Sequence, residues 1–215
     1  MNIHLIGCSW IRGLKGTLNQ VSDFKVGGRG RPGHGLNHLH KILTQEDLDS
    51  SDFIFVQLPT PVRSALKEES SKPSRNTLQY MKECPPDKCM EVMAYYREVM
   101  LEIDKLHKRV VFFVFNTAGY PFRHPTDFGS LCEEEMIQFM KEKGLSFITL
   151  NLEGQEDMVL KEIVSMYEEE ISYMPNIKTH HIIHPKGKLI LDSHPNKEAI
   201  EKAARIIEAY VRGAK

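Results

Sequence analysis

The sequence carries almost no net charge. Its 28 Lys and Arg stand against 29 Asp and Glu, a formal balance of -1 over 215 residues. Without an excess of either sign, no global field draws the chain onto nucleic acid or an anionic membrane, and neither partner is expected. Long apolar runs are missing as well; none approaches the roughly 18 residues that a membrane span needs. The opening Met1-Asn2-Ile3-His4-Leu5-Ile6-Gly7 lacks a basic segment, an apolar run and a small-residue cleavage site in succession, so it does not read as a signal peptide. Cysteine is sparse: Cys8, Cys84, Cys89 and Cys132 form no CxxC pair of the zinc or thioredoxin type. A chain of this length folds without disulfide staples, and the expected setting is reduced and cytoplasmic.

What is present is ordinary globular composition, 41% hydrophobic and 27% charged, enough to bury one core and to suggest a single domain over residues 1–215. Short apolar runs alternate with longer segments of helical period, the pattern of a sheet covered by helices. Five runs read as strands: Ile3–Ile6, Phe24–Val26, Phe53–Val56, Val110–Phe115 and Phe147–Leu150. The third and fourth are nearly continuous in apolar residues and should be central. Helical patterns cover Leu36–Leu43, about Lys88–His107, Glu133–Glu142, Asp157–Tyr167 and about Lys197–Val211, the last with Ile200, Ala203, Ala204, Ile207 and Val211 on one face. The polar stretch at about 63–86, broken by Pro73, Pro85 and Pro86, reads as a surface excursion or lid.

Ligands of open α/β sheets sit at the carboxyl ends of the strands, so the corners there carry the functional information. The first corner, Gly7-Cys8-Ser9-Trp10, can present a serine hydroxyl beside backbone N–H groups; the plain alternative is that Ser9 only caps a helix opening at Trp10. The second, Gly27 to Gly35, holds five glycines in nine residues ahead of a helix, a loop suited to an anion or a developing oxyanion. It is not a P-loop, since it lacks the Lys-Ser/Thr pair, and it has no clear acidic partner of the dinucleotide type. Arg29 and Arg31 could meet phosphate or carboxylate, although such side chains are more often simply solvated. The last corner, Asp192-Ser193-His194-Pro195-Asn196, opens the C-terminal helix. Its Pro and Asn fit a helix start, but an Asp two residues before a His also fits the orientation of a general base.

Together these corners resemble the SGNH (GDSL-type) hydrolases, a family of esterases, lipases and carbohydrate O-acyl hydrolases, over nearly the whole chain. Gly7-Cys8-Ser9 matches the block that carries the nucleophile, with Cys8 in place of its Asp. Gly27-Gly28-Arg29-Gly30 is similar to the Gly-x-x-Gly block, which makes Gly30, with Gly28 beside it, the candidate oxyanion donor. Asp192-Ser193-His194-Pro195-Asn196 is similar to the end block, the most specific part of the match. The resemblance implies an α/β fold, a three-layer flavodoxin-like sandwich with a central, mostly parallel five-stranded sheet flanked by helices. It also implies a Ser9, His194, Asp192 triad working without cofactor or metal on a small-molecule or glycan acyl ester.

The third block departs from the pattern. The family carries Gly-x-Asn-Asp after the third strand, whereas this chain has Gln57-Leu58-Pro59-Thr60-Pro61, and Pro61 in the Asn place cannot donate a hydrogen bond. Loss of one such donor costs about two to three orders of magnitude in rate. Gln57, Asn116 at the end of the fourth strand, or the amides of the glycine loop are the candidate substitutes. The expected activity is ester hydrolysis or carbohydrate O-deacylation; the alternatives are acyl transfer to a sugar hydroxyl and a non-catalytic binding module on the same fold. A weaker rival uses the histidines, 10 in all, of which His180, His181, His184 and His194 could surround a metal with Asp192. His180-x-x-x-His184 has helical spacing, but Pro185 and Gly187 argue for a loop, which leaves metal binding unexpected.

Overall fold

A computed structural model describes residues 1–7, 10–31, 35–59, 86–116, 128–151, 181–183, 190–192 and 197–214. Strand β1 (Asn2–Gly7) leads into helix α1 (Trp10–Val21), and β2 (Lys25–Gly30) is followed by the short α2 (Leu36–Leu39), a 3-10 turn and α3 (Gln45–Ser50). Then come β3 (Phe53–Gln57), α4 (Pro86–Asp104), β4 (Val110–Asn116), α5 (Phe128–Lys143) and β5 (Phe147–Asn151). A hairpin of β6 (His181–Ile183) and β7 (Ile190–Asp192) precedes the C-terminal α6 (Lys197–Gly213).

The five main strands form one sheet in the order β2-β1-β3-β4-β5. The pairings of β1 with β2 and β3, and of β3 with β4, are parallel. The chain thus has the expected α/β, flavodoxin-like architecture, and β1 and β3 are interior strands because nearly every residue on them is apolar and buried on both faces. The alternation of the pleat assigns the faces. Ile6, Ile54, Val56, Val110 and Phe112 share a core with α2, α4 and α5 through Leu36, Leu39, Tyr96, Met100, Phe139 and Met140. Ile11, Leu14 and Leu18 of α1 are fully buried, and Ile11 packs beside Gly7, on the face opposite Ile6.

Several elements extend or replace what the sequence suggests. Strand β2 runs to Gly30, past the Phe24–Val26 run, because its Gly-Gly-Arg-Gly end keeps pairing with β1 as far as Gly7. Helix α4 opens at Pro86, where a missing N–H costs nothing, and α5 opens at Phe128 instead of Glu133. The stretch at 181–183 is a strand and not a loop, since it pairs antiparallel with β7. The excursion at about 63–86, apart from Pro86, and the helix at Asp157–Tyr167 lie outside the described residues.

The chain divides into two compact units, Met1–Val114 with Asp127–Ile148, and Phe115–Thr126 with Thr149–Lys215. In the second, α6 buries Ala199, Ile200, Ala203, Ala204, Ile207 and Val211, the face its 3.6-residue period marks out. Among the described residues, no helix is long and apolar enough to cross a membrane.

Candidate functional site

Gly7 is the point on which three corners of the sheet converge. On one side its register partner is Gly30, and the Arg31 N–H donates to the Gly7 carbonyl at 2.9 Å. On the other side the Gln57 side chain crosses over it. A methyl group built on Gly7 would lie 2.5 Å from Gln57 Oε1, 2.6 Å from Gln57 Cβ and 2.7 Å from Ile11 Cγ1. Only glycine permits that approach. The carboxyl ends of β1, β2 and β3 therefore bring Gly7, Gly30 and Gln57 together, with α1 starting at Trp10. Cys8 and Ser9, between Gly7 and Trp10, lie outside the described residues.

The backbone of β2 alternates in what it faces. The N–H groups of Lys25 and Arg31 donate to the carbonyls of Met1, just before β1, and of Gly7, at 3.0 and 2.9 Å, so the amides of Val26, Gly28 and Gly30 turn away from β1. The Val26 N–H is taken by Asn19 Oδ1 at 3.3 Å. Gly28 has φ of 144°, and a side chain there would run into the Leu5 carbonyl oxygen. The glycines let β2 lie flat against β1 and still carry outward amides at its carboxyl end.

The corner after β3 is fixed from two directions. The Leu58 N–H donates to the Phe113 carbonyl at 3.0 Å, which extends the ladder one residue beyond Gln57. The next residue, Pro59, has no N–H of its own. Its carbonyl accepts from the Tyr96 hydroxyl of α4. Gln57 is 4% exposed and, with His4, one of the two polar or charged residues buried among the described residues. Asn116 is the last residue of β4, and Pro61 lies outside the described residues. In the second unit, Asp192 ends β7 opposite His181. His180, His184 and His194 lie outside the described residues, and His181–Ile183 is an extended strand.

No protein-family model and no curated protein matches the sequence. Solved structures do. A lipolytic protein of the G-D-S-L family from Desulfitobacterium hafniense DCB-2 superposes with a TM-score of 0.55 at 12% identity, over 95% of this chain and 98% of its own. The fold is that of the SGNH hydrolases. A member of the lipolytic G-D-S-L family from Veillonella parvula DSM 2008 has the same SGNH fold, with a TM-score of 0.54, 11% identity and 99% of each chain covered. So does an acetylxylan esterase from Geobacillus stearothermophilus, with a TM-score of 0.52, 15% identity, and 96% and 91% covered.

One polar cluster in this SGNH fold was not marked by the sequence blocks. His4, in the middle of β1, is 7% exposed and lies on the sheet face opposite Gly7 and Gln57. Its neighbour in register is Gly27, whose missing side chain leaves room for the ring. Asp47 of α3 lies 3.5 Å from His4 Nδ1 and 3.6 Å from Arg29. Arg29 is thus paired and not simply solvated. Asp47 is held by the N–H and hydroxyl of Thr44 in a capping box. Burial alone would raise its carboxyl, but those hydrogen bonds with His4 and Arg29 hold it below the usual carboxylate range. A Thr44-x-x-Asp47 spacing was the available signal for α3, a helix whose one apolar residue, Leu48, is partly buried against the core.

Burial lowers the His4 pKa from 6.5, against the pull of Asp47 and with Arg29 and Lys15 adding to the lowering. Its Nε2 is buried without a hydrogen-bond partner among the described residues. The folded protein therefore holds His4 neutral where the unfolded chain would bind a proton. Stability is fully present above about pH 6.5 and is lost as the pH falls from there through the lowered folded value. His4→Leu is expected to flatten this part of the stability curve, read as the melting temperature between pH 7.5 and 5. An unchanged slope would assign the acid sensitivity to another group.

Proposed function

We propose that the protein is a serine ester hydrolase of the SGNH fold, acting on a small-molecule or glycan acyl ester. Ser9 is the nucleophile, His194 the base and Asp192 the carboxylate that orients the imidazole. His194 takes the Ser9 hydroxyl proton as the oxygen attacks the acyl carbonyl. The alcohol leaves with that proton, and water activated by the same imidazole releases the acid and restores Ser9. The backbone N–H groups of Ser9 and Gly30 hold the oxyanion, with the Gln57 carboxamide in place of the family's Asn.

The observation that carries this reading is the convergence of Gly30 and Gln57 on Gly7, two residues before Ser9. The buried Gln57 carboxamide is the polar side chain that these strand ends place against that turn. Gly28 supports the approach of β2, and Asn116, at the end of β4, is the reserve donor. Catalytic mutants of the Geobacillus stearothermophilus acetylxylan esterase replace one Ser, one Asp and one His by Ala. That set of residue types favours the triad. The Asp and His are three positions apart in that esterase and two apart here. A spacing of two sets both side chains on one side of an extended chain.

A second reading, a binding module on the same fold, is favoured by Pro61 in the Asn place. A fluorophosphonate separates the two, because it phosphonylates only an activated serine. Mass spectrometry is expected to find the adduct on Ser9; a protein that stays unlabelled would exclude the hydrolase and leave the binder.

A further inference from the structure

A tyrosine buried in an apolar core needs a reason to be a tyrosine. Tyr96 is 1% exposed and packs among Met93, Val99, Met100 and Ile103 of α4 and the inner residues of β3 and β4. Phenylalanine would fill the same space without a hydroxyl to satisfy. The hydroxyl donates to the Pro59 carbonyl, 37 residues earlier in the chain. Pro59 is itself buried, one residue past the Leu58 bond to β4. A carbonyl in that position, left without a donor, would be free to turn. Tyr96 sets its direction, and with it the path by which the chain leaves β3.

That path matters because Gln57 is two residues upstream. The Leu58 N–H, bound to Phe113, and the Pro59 carbonyl, bound to Tyr96, fix the corner on the side of β4 and α4. The Gln57 side chain is thereby held across Gly7 on the side of β1. We infer that Tyr96 is a positioning residue: it fixes the corner after β3 so that the Gln57 carboxamide stays against the base of the turn that carries Ser9. The inference rests on the hydrolase reading above. It adds that helix α4, through Tyr96, holds the corner after β3.

The test is the rate at which the intact protein reacts with a fluorophosphonate at Ser9, compared among four proteins whose melting temperatures are also measured. Tyr96→Phe removes one oxygen and keeps the ring. It is expected to slow labelling about tenfold, since loss of a positioning contact costs one to two orders of magnitude. Pro59→Gly loosens the same corner while leaving the core of α4 intact and is expected to slow it similarly. Val99→Ala, which weakens the same helix away from the corner, is expected to melt lower and label at the wild-type rate. Wild-type labelling rates in Tyr96→Phe or Pro59→Gly would overturn the inference and leave the hydrolase standing. Equal slowing in Val99→Ala would also overturn it, by reducing the effect to general softening. A wild-type protein that does not label at all would overturn the hydrolase reading and the inference with it.

Discussion

Ser9→Ala is expected to lower the hydrolysis of p-nitrophenyl acetate by about four to six orders of magnitude, the range found when a triad nucleophile is removed. The fold should survive. Should Ser9 also cap α1, its loss costs about 1 kcal/mol of stability. The rate effect corresponds to roughly 5–8 kcal/mol of transition-state stabilisation. The two consequences differ enough in size to be told apart: circular dichroism should show a nearly unchanged melting curve while turnover disappears. Activity retained at the wild-type level would move the nucleophile elsewhere, with Cys8 next to be replaced. His194→Ala should match Ser9→Ala closely, and the double variant should be no worse than either, because residues acting as a unit are not additive.

Gly7→Ala is the second change with a large expected effect, and it acts through packing. The added methyl meets Gln57 Oε1 at 2.5 Å, Gln57 Cβ at 2.6 Å and Ile11 Cγ1 at 2.7 Å. β1 is held in parallel pairings on both sides, so its backbone has little room to retreat. Overpacking of this kind costs about 1–3 kcal/mol, and for a chain of this size each kcal/mol lowers the melting temperature by roughly 2–4 °C. We expect a loss near the upper end, about 6–10 °C. Shortening the neighbour should relieve part of it. The double variant Gly7→Ala with Gln57→Ala is expected to melt higher than Gly7→Ala alone, since two of the three close contacts involve Gln57. A Gly7→Ala protein that melts with the wild type would mean that β1 and β3 can separate at this corner.

The sheet was legible in the sequence because its strands announce themselves by composition. Phe53–Val56 and Val110–Phe115 are unbroken apolar runs, and the strands found there differ from them by a single residue at the C-terminal end. What escaped were elements whose cause is not local. The end of β2, Gly27-Gly28-Arg29-Gly30, looks like a turn by propensity and becomes strand only through its pairing with β1. α3 has no buried residue to give it a period and stands on its capping box. β6 is three residues long, next to Pro185 and Gly187, and exists through its pairing with β7.

The candidate site divides in the same way. Gly7, Gly30 and Gln57 could be singled out from the order of blocks, and the sheet brings them together. Nothing in the spacing pointed to Tyr96, because its role depends on a contact 37 residues away in the chain. A tyrosine at an apolar-stripe position of α4, next to Tyr95, was the trace available.

Strand β2 stands at the margin of the sheet, and its outward amides make it a template on which another polypeptide could add itself. The chain blunts that hazard in ways already visible in the fold: Asn19 occupies the Val26 amide, and the half-exposed, positively charged Arg29 discourages a second copy from docking. Charge-neutral substitutions at Lys25 or Arg29 are therefore expected to weaken the guard against edge-to-edge pairing.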